Sequence, residues 1–185
     1  MKSTRYPRVL LAIAFALPFA PLAFAVEPSA KAPCTTIIVV RHAEQTDPQA
    51  VDPPLSEVGA ARAKALAAAL ANSGVQAVYF TQYKRTQETA VPLAERLHLS
   101  LTEVPVDKPK LAEYGSELAK RILAEHPGGI VLVVGHSNTV PNIVEALTNV
   151  KIRAIDQTEF DRFIVVTAGE QGCTHVLEAQ YGHGQ

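Results

Sequence analysis

Thr35-Thr36-Ile37-Ile38-Val39-Val40-Arg41-His42-Ala43-Glu44 is the stretch whose reading decides the fold. Six β-branched residues run without interruption, so neither face of the segment alternates toward water. That is the pattern of a strand buried on both faces, at the centre of a parallel sheet. Charge then arrives all at once, at Arg41, His42 and Glu44. Ligands of open α/β sheets bind beyond the carboxyl ends of the strands, so this exit is the first candidate for a site.

Downstream, the chain repeats the motif of apolar strand followed by helix. Ser56 is placed as an N-cap, with Glu57 in the first turn and Leu66 and Leu70 at i, i+4 facing the core. Ala77 to Phe80 reads as a second strand, and a helix is expected from about Thr86 to Leu97, with a kink or restart at Pro92. Leu101 to Val106 reads as an edge strand, consistent with Pro105, and Leu111 to Glu125 as a helix ended by His126-Pro127-Gly128-Gly129. Ile130 to Val134 is a second fully apolar strand, and Pro141 fits the first turn of a helix running through Leu147. Lys151 to Asp161 has no clear pattern, while Arg162 to Thr167 and Thr174 to Gln180 read as strands joined by a turn with Gly169 and Gly172. The fold class expected is α/β, a three-layer α/β/α arrangement whose sheet is mostly parallel, with one antiparallel strand near the C-terminus.

The N-terminus has a different character. Lys2, Arg5 and Arg8 precede an apolar run, Val9 to Phe24, interrupted by Pro18 and Pro21 and followed by an Ala23-Phe24-Ala25 cleavage pattern. This predicts a signal peptide over residues 1–25, cleaved near Ala25, and hence a periplasmic or secreted protein with no stable membrane insertion; the alternative is an uncleaved anchor, for which the proline-interrupted run falls short of the roughly 20 residues that span a bilayer. Residues 26–33 read as a Pro/Ala-rich tether and residues 34–185 as a single domain. Cleavage would remove three cations and no acids, moving the formal net charge from −1 to −4. Such a chain lacks the basic footprint of a nucleic-acid binder, so any anion site must be local. Cys34 and Cys173 are the two cysteines of the chain, and an oxidising compartment makes them a disulfide candidate.

Parallel strands of one sheet finish on the same side, so Arg41 and His42, Arg85, and His136 should converge there. Two guanidiniums and two imidazoles favour phosphate chemistry. Arginine binds phosphate oxygens with a planar fork and keeps its charge, while a neutral imidazole can attack phosphorus or carry a proton. Taken singly, each piece has an ordinary alternative: a loop pair at Arg41-His42, a solvated charge at Arg85, and a helix cap at Ser137 or Asn138.

Taken together, Arg41-His42-Ala43-Glu44, Leu55-Ser56-Glu57-Val58-Gly59, Arg85-Thr86-Gln87-Glu88-Thr89-Ala90 and Gly135-His136 resemble, in that order, the histidine phosphatase superfamily, the phosphoglycerate mutase-like fold. The resemblance is to its small exported bacterial members. It implies that His42 is the nucleophile forming a phosphohistidine, and that Arg41, Arg85 and His136 hold the phosphoryl group. It also implies that no metal or organic cofactor is needed, and that the first strand is central with the antiparallel strand beside it. Asn138 is a further candidate phosphate ligand. Two arginines nearby are expected to keep His42 neutral, and one of its ring nitrogens should donate to a backbone carbonyl.

The match is incomplete at the general acid. Ser137 stands where phytase-like members have an Asp, and Glu113 resembles the position of the mutase-like Glu, with Glu159 and Asp161 as rivals. His98, His126, His175 and His183 read as structural or solvent-facing, and no metal-ligand spacing occurs. The expected activity is that of an exported phosphomonoesterase acting on a small-molecule phosphate ester, such as a sugar phosphate, a nucleotide or lipopolysaccharide heptose phosphate. The alternative from another class is a non-catalytic module that binds a phosphate ligand.

Overall fold

The computed structural model describes residues 33–169 and 172–182. The expected signal over 1–25, the tether as far as residue 32, and His183 lie outside the described residues.

Six strands form one sheet in the order β3-β2-β4-β1-β5-β6. They are β1 (Thr35–Arg41), β2 (Ala77–Phe80), β3 (Leu101–Glu103), β4 (Ile130–Gly135), β5 (Arg162–Ala168) and β6 (His175–Gln180). β1 lies between β4, to which it is parallel, and β5, to which it is antiparallel. β2 is parallel to both β3 and β4, and β6 is antiparallel to β5. β5 alone therefore opposes the other strands, as the sequence predicts.

Helices α1 (Glu57–Ala69) and α2 (Lys84–Leu97) cover one face, and α3 (Leu111–Glu125) and α4 (Thr139–Thr148) the other. The strand period of two makes that division visible within β1 itself. Ile37 and Val39 pack with Leu118 and Ile122 of α3 and Ile143 of α4, whereas Ile38 and Val40 pack with Leu66 of α1 and Leu93 of α2. Each fully buried aliphatic side chain of this kind stabilises the fold by roughly 1.5–3 kcal/mol. The apolar run is thus a consequence of helices on both sides.

Local expectations differ from the structure in a few places. α2 begins at Lys84 rather than Thr86 and runs through Pro92 without a restart. Only the carbonyl of Glu88 is deprived of its helical donor there, and Leu93 and Ala94, buried directly afterwards, hold the helix against the sheet. β3 pairs over only three residues, although Val104 donates one further bond to Phe80 O. Pro105 cannot extend that ladder. Ser56 does cap α1, its side chain accepting from the amide of Gly59.

Cys34 and Cys173 are joined by a disulfide, with Cα atoms 5.6 Å apart and 139 residues between them in sequence. It ties the start of β1 to the β5–β6 turn, at the edge of the sheet opposite the charged strand exits. In the chain-entropy model a loop of this length gives about 5 kcal/mol. Reduction is expected to lower the denaturation free energy by about 2–4 kcal/mol, read from urea midpoints with and without reductant. Unchanged midpoints, or two free thiols by mass spectrometry of the untreated protein, would contradict the bond.

Candidate functional site

The register of the sheet brings the charged residues together. Arg41 is level with Gly135 across β1 and β4, and Phe80 with Val134 across β2 and β4. The next residues along each strand, His42, Thr81 and His136, therefore emerge at one edge. A cleft of about 420 Å³ opens there, lined among others by Arg41, His42, Tyr83, Arg85, His136 and Asn138.

His42 stacks edge-on against His136, with ring centroids 5.3 Å apart. Its backbone amide donates to Gly135 O, and its Nδ1 lies 2.8 Å from Ala43 O. A carbonyl only accepts, so Nδ1 carries the proton and Nε2 keeps the lone pair. The expected backbone partner is thus the next residue in the chain.

His136 is held in the opposite sense. Arg85 Nη2 lies 3.4 Å from its Nδ1, which must accept, so Nε2–H donates to Thr81 Oγ1 at 2.9 Å. Thr81 Oγ1 in turn meets Thr86 Oγ1 at 2.9 Å, and Thr86 donates to Tyr83 O at 2.7 Å. Proton directions along this buried chain follow from its two ends.

Burial is the main reason both imidazoles are neutral. It pushes each pKa down to about 3, with the neighbouring arginines contributing less. The expected repulsion by Arg41 and Arg85 therefore has the right sign but is secondary to desolvation.

Arg41 is anchored by one nitrogen. Its Nη1 donates to the carbonyls of Asp156, Gln157 and Glu159, and its guanidinium lies 4.1 Å from the centre of the Phe160 ring. Burial and Arg85 lower its pKa to about 10, which leaves it charged near neutrality. Arg85 lies over Tyr83 and 3.9 Å from Asp52. The Nε–H groups of both arginines are buried without a partner among the described residues.

Glu44 has a structural place. It is buried and takes Arg62 of α1 through bonds of 2.6 to 2.9 Å, while Arg62 also reaches Tyr181 O. The backbone of Glu44 carries the start of α1: Ser56 N donates to Glu44 O at 2.9 Å. Gly59 packs so closely on Glu44 that a Cβ there would collide with its carbonyl. The Leu55-to-Gly59 segment thus seats α1 directly on the exit of β1.

The segment after β2 works in the same way. Thr89 accepts from Ala43 N and donates to Arg85 O, and Glu88 accepts from Leu55 N. Thr81 and Tyr83 are site residues that sequence reasoning missed, and Thr86, Glu88 and Thr89 stood in the quoted motif without an assigned role. The available signal was the i, i+4 spacing of Arg85 and Thr89, which puts both at one side of α2.

Neither candidate acid lines the cleft. Glu113 is exposed on α3. Glu159 is held by Arg153 and Arg162, and those bonds outweigh its burial to bring its pKa to about 2. It is a fixed carboxylate, with no proton to give near neutrality. Asp161 also stands outside the lining, and no carboxylate is among the lining residues of the described chain. Asn138 occupies the N-cap position of α4 without a side-chain cap bond; Thr139 Oγ1 accepts from His136 N instead. His98 ends α2 in the left-handed region, His126 bonds Tyr79, and His175 is exposed. No group of three His, Cys, Asp or Glu residues that could hold a metal occurs among the described residues.

These features define an open α/β sheet with a cationic, histidine-paired edge. The model of the histidine phosphatase superfamily (branch 1) matches residues 37–116. Over that segment the chain is similar to the histidine phosphatase superfamily. It is similar to mycobacterial glucosyl-3-phosphoglycerate phosphatase, with 14% identity and a TM-score of 0.65 over 82% of this chain and 100% of that one. A protein histidine phosphatase, SixA, solved with tungstate, gives 20% identity and a TM-score of 0.59 over 78% of this chain and 96% of that one. A phosphoserine phosphatase from Entamoeba histolytica gives 11% and 0.60, over 82% and 98%. At such identities the likeness is one of fold. No protein of curated function matches the chain by sequence.

The two histidines have a consequence for stability. In the unfolded chain each binds a proton below about pH 6.5, whereas in the fold each stays neutral until about pH 3. Their contribution is therefore complete above the unfolded value and is lost as pH falls from about 6.5 toward 3. Urea midpoints of the ligand-free protein should fall between about pH 6.5 and 5, before the carboxylates titrate, and His136→Asn should flatten that fall. An equal slope in the variant would show that His136 is not buried neutral.

Proposed function

We propose that this protein is a phosphomonoesterase that works through a phosphohistidine on His42. The observation that carries the reading is the pairing of a neutral His42, whose Nε2 retains its lone pair, with the buried guanidinium of Arg41 and the half-buried one of Arg85 in the same cleft. Nε2 attacks phosphorus, forming the N–P bond as the P–O bond to the alcohol breaks. Water then attacks phosphorus, the N–P bond breaks, and inorganic phosphate leaves. Arg41 and Arg85 stabilise charge on the equatorial oxygens, and their positions are set before substrate arrives. The chain's own cations supply this charge, so the reaction is proposed to need no metal. The relatives solved with phosphate, vanadate and tungstate support a pocket of this chemistry.

With no carboxylate in the cleft lining, the leaving oxygen takes its proton from elsewhere, and esters of acidic alcohols should react best. p-Nitrophenyl phosphate is expected to turn over, with alkyl phosphates much slower. His42→Ala should reduce the rate by at least about 10³-fold, and EDTA should leave it unchanged. Retained activity in His42→Ala would remove the mechanism. The same lining favours a second reading, a phosphate-ligand binding module; vanadate binding with no turnover of either ester would select it.

We also propose that the protein is exported, with substrates that include envelope glycan phosphates such as lipopolysaccharide heptose phosphate. The support is the pattern of residues 1–25 and the Cys34–Cys173 disulfide, which suits an oxidising compartment. Mass spectrometry of the protein recovered from its native host should find a mature N-terminus near Val26. An intact Met1 on the cell-associated protein would count against cleavage.

A further inference from the structure

His136 turns an accepting nitrogen toward the cleft. Its Nε2 lies 2.9 Å from Oγ1 of the fully buried Thr81, and its Nδ1 lies 3.4 Å from Arg85 Nη2. The hydroxyl chain behind the ring decides which nitrogen holds the proton. Thr86 Oγ1 is 2.7 Å from Tyr83 O and 2.9 Å from Thr81 O, and carbonyls only accept, so its single proton is committed there. Thr81 therefore gives its own proton to Thr86 and takes one from His136. In front of the ring the requirement is the same, because an N–H at Nδ1 would meet the donors of Arg85.

The surroundings of the ring supply no countercharge. Arg41 faces it from the β1 exit and Arg85 from the start of α2. The His42 ring stands 5.3 Å away and the Tyr83 ring 5.2 Å away, and the first turn of α4 contains no acid. Asp52 is engaged elsewhere, with the amide of Lys84 and the guanidinium of Arg85. The ring is accordingly neutral in the free protein. A phosphate dianion carries acceptors only, so at Nδ1 it would set lone pair against lone pair. A proton placed between them removes the conflict and leaves the other phosphoryl oxygens for Arg41 and Arg85.

We propose that the site takes its phosphate with one proton shared between a phosphoryl oxygen and His136 Nδ1, and that Thr81 is the positioning residue that imposes this. The proposal rests on the phosphatase reading above and adds the protonation state in which the ester is captured. An alkyl phosphate has a second pKa of about 6, so capture should weaken as pH rises past that value.

The test compares benzylphosphonate with its difluoromethylene analogue, which has nearly the same shape and a lower second pKa. For wild type, each dissociation constant should rise about tenfold per pH unit above the ligand's own second pKa, the rise starting at lower pH for the fluorinated compound. Calorimetry in buffers of different ionisation enthalpy should find about one proton taken up per ligand bound in that range. Nitrogen NMR of the free protein should place the His136 proton on Nε2. Thr81→Val should flatten the rise by freeing the tautomer, and Thr81→Ser should restore it, whereas a loss of structure alone would weaken binding equally at every pH. Dissociation constants that level off above the second pKa, no proton uptake, a proton on Nδ1 of the free protein, or a rise unchanged in Thr81→Val would overturn the proposal. So would failure of both phosphonates to bind at any pH. None of these measurements needs turnover. A protein that shows the rise without hydrolysing p-nitrophenyl phosphate keeps this proposal and loses the phosphatase reading, and an active phosphatase with a flat profile does the reverse.

Discussion

Burying β1 on both faces leaves no position along it where a charge can be solvated, so every charge must wait for its end. The cost of that arrangement falls on the residues just beyond. Glu44 is still buried when the strand has finished, and an isolated carboxylate there would be expensive. Arg62 resolves this from α1 with a bidentate contact, and it reaches Tyr181 O after β6 as well. One ion pair therefore joins the central strand, the first helix and the end of the last strand. Removing one partner of such a pair typically costs about 3–5 kcal/mol, because the other is left charged and buried. The rotation of Arg41 and His42 into the cleft depends on this anchoring of the residue that follows them.

The same economy of contacts explains how an acidic chain builds a cationic pocket. Arg41 and Arg85 are not balanced by carboxylates inside the cleft. They are held by carbonyl oxygens, by aromatic faces at Phe160 and Tyr83, and in part by Asp52 at the margin. Such partners fix a guanidinium without cancelling its charge. The imidazoles are treated differently again. His42 leans on its neighbour's carbonyl and His136 on a run of threonine hydroxyls, so each ring presents a definite nitrogen to the cleft.

Much of this was legible from residue types. The uninterrupted β-branched run located the centre of the sheet, and parallel strand ends located Arg41, His42, Arg85 and His136 relative to one another. The disulfide pairing of Cys34 with Cys173 was likewise readable, because the chain has two cysteines and both fall next to strand starts. What could not be read was side-chain partnership over long separations. Glu44 and Arg62 are 18 residues apart and Arg62 and Tyr181 are 119 apart, and nothing in their spacing announces a contact. The unpatterned stretch before β5 was opaque for a related reason: its backbone carbonyls, rather than its side chains, serve Arg41, and any residue type supplies a carbonyl. Glu113 and Glu159 were plausible acids by position alone. Their surroundings decide otherwise, one in solvent and one between two arginines.

The reversed direction of β5 has a consequence for how such a protein can diversify. Because that strand begins where the parallel strands end, the chain between Asn149 and Asp161 must cross the mouth of the cleft before entering the sheet. A longer or shorter crossing could roof the pocket or open it while every rung of the ladder stayed in register. Only the carbonyls that grip Arg41 need to be retained. New substrate ranges are thus accessible by insertion at a single point, with the core and the reacting groups left as they are.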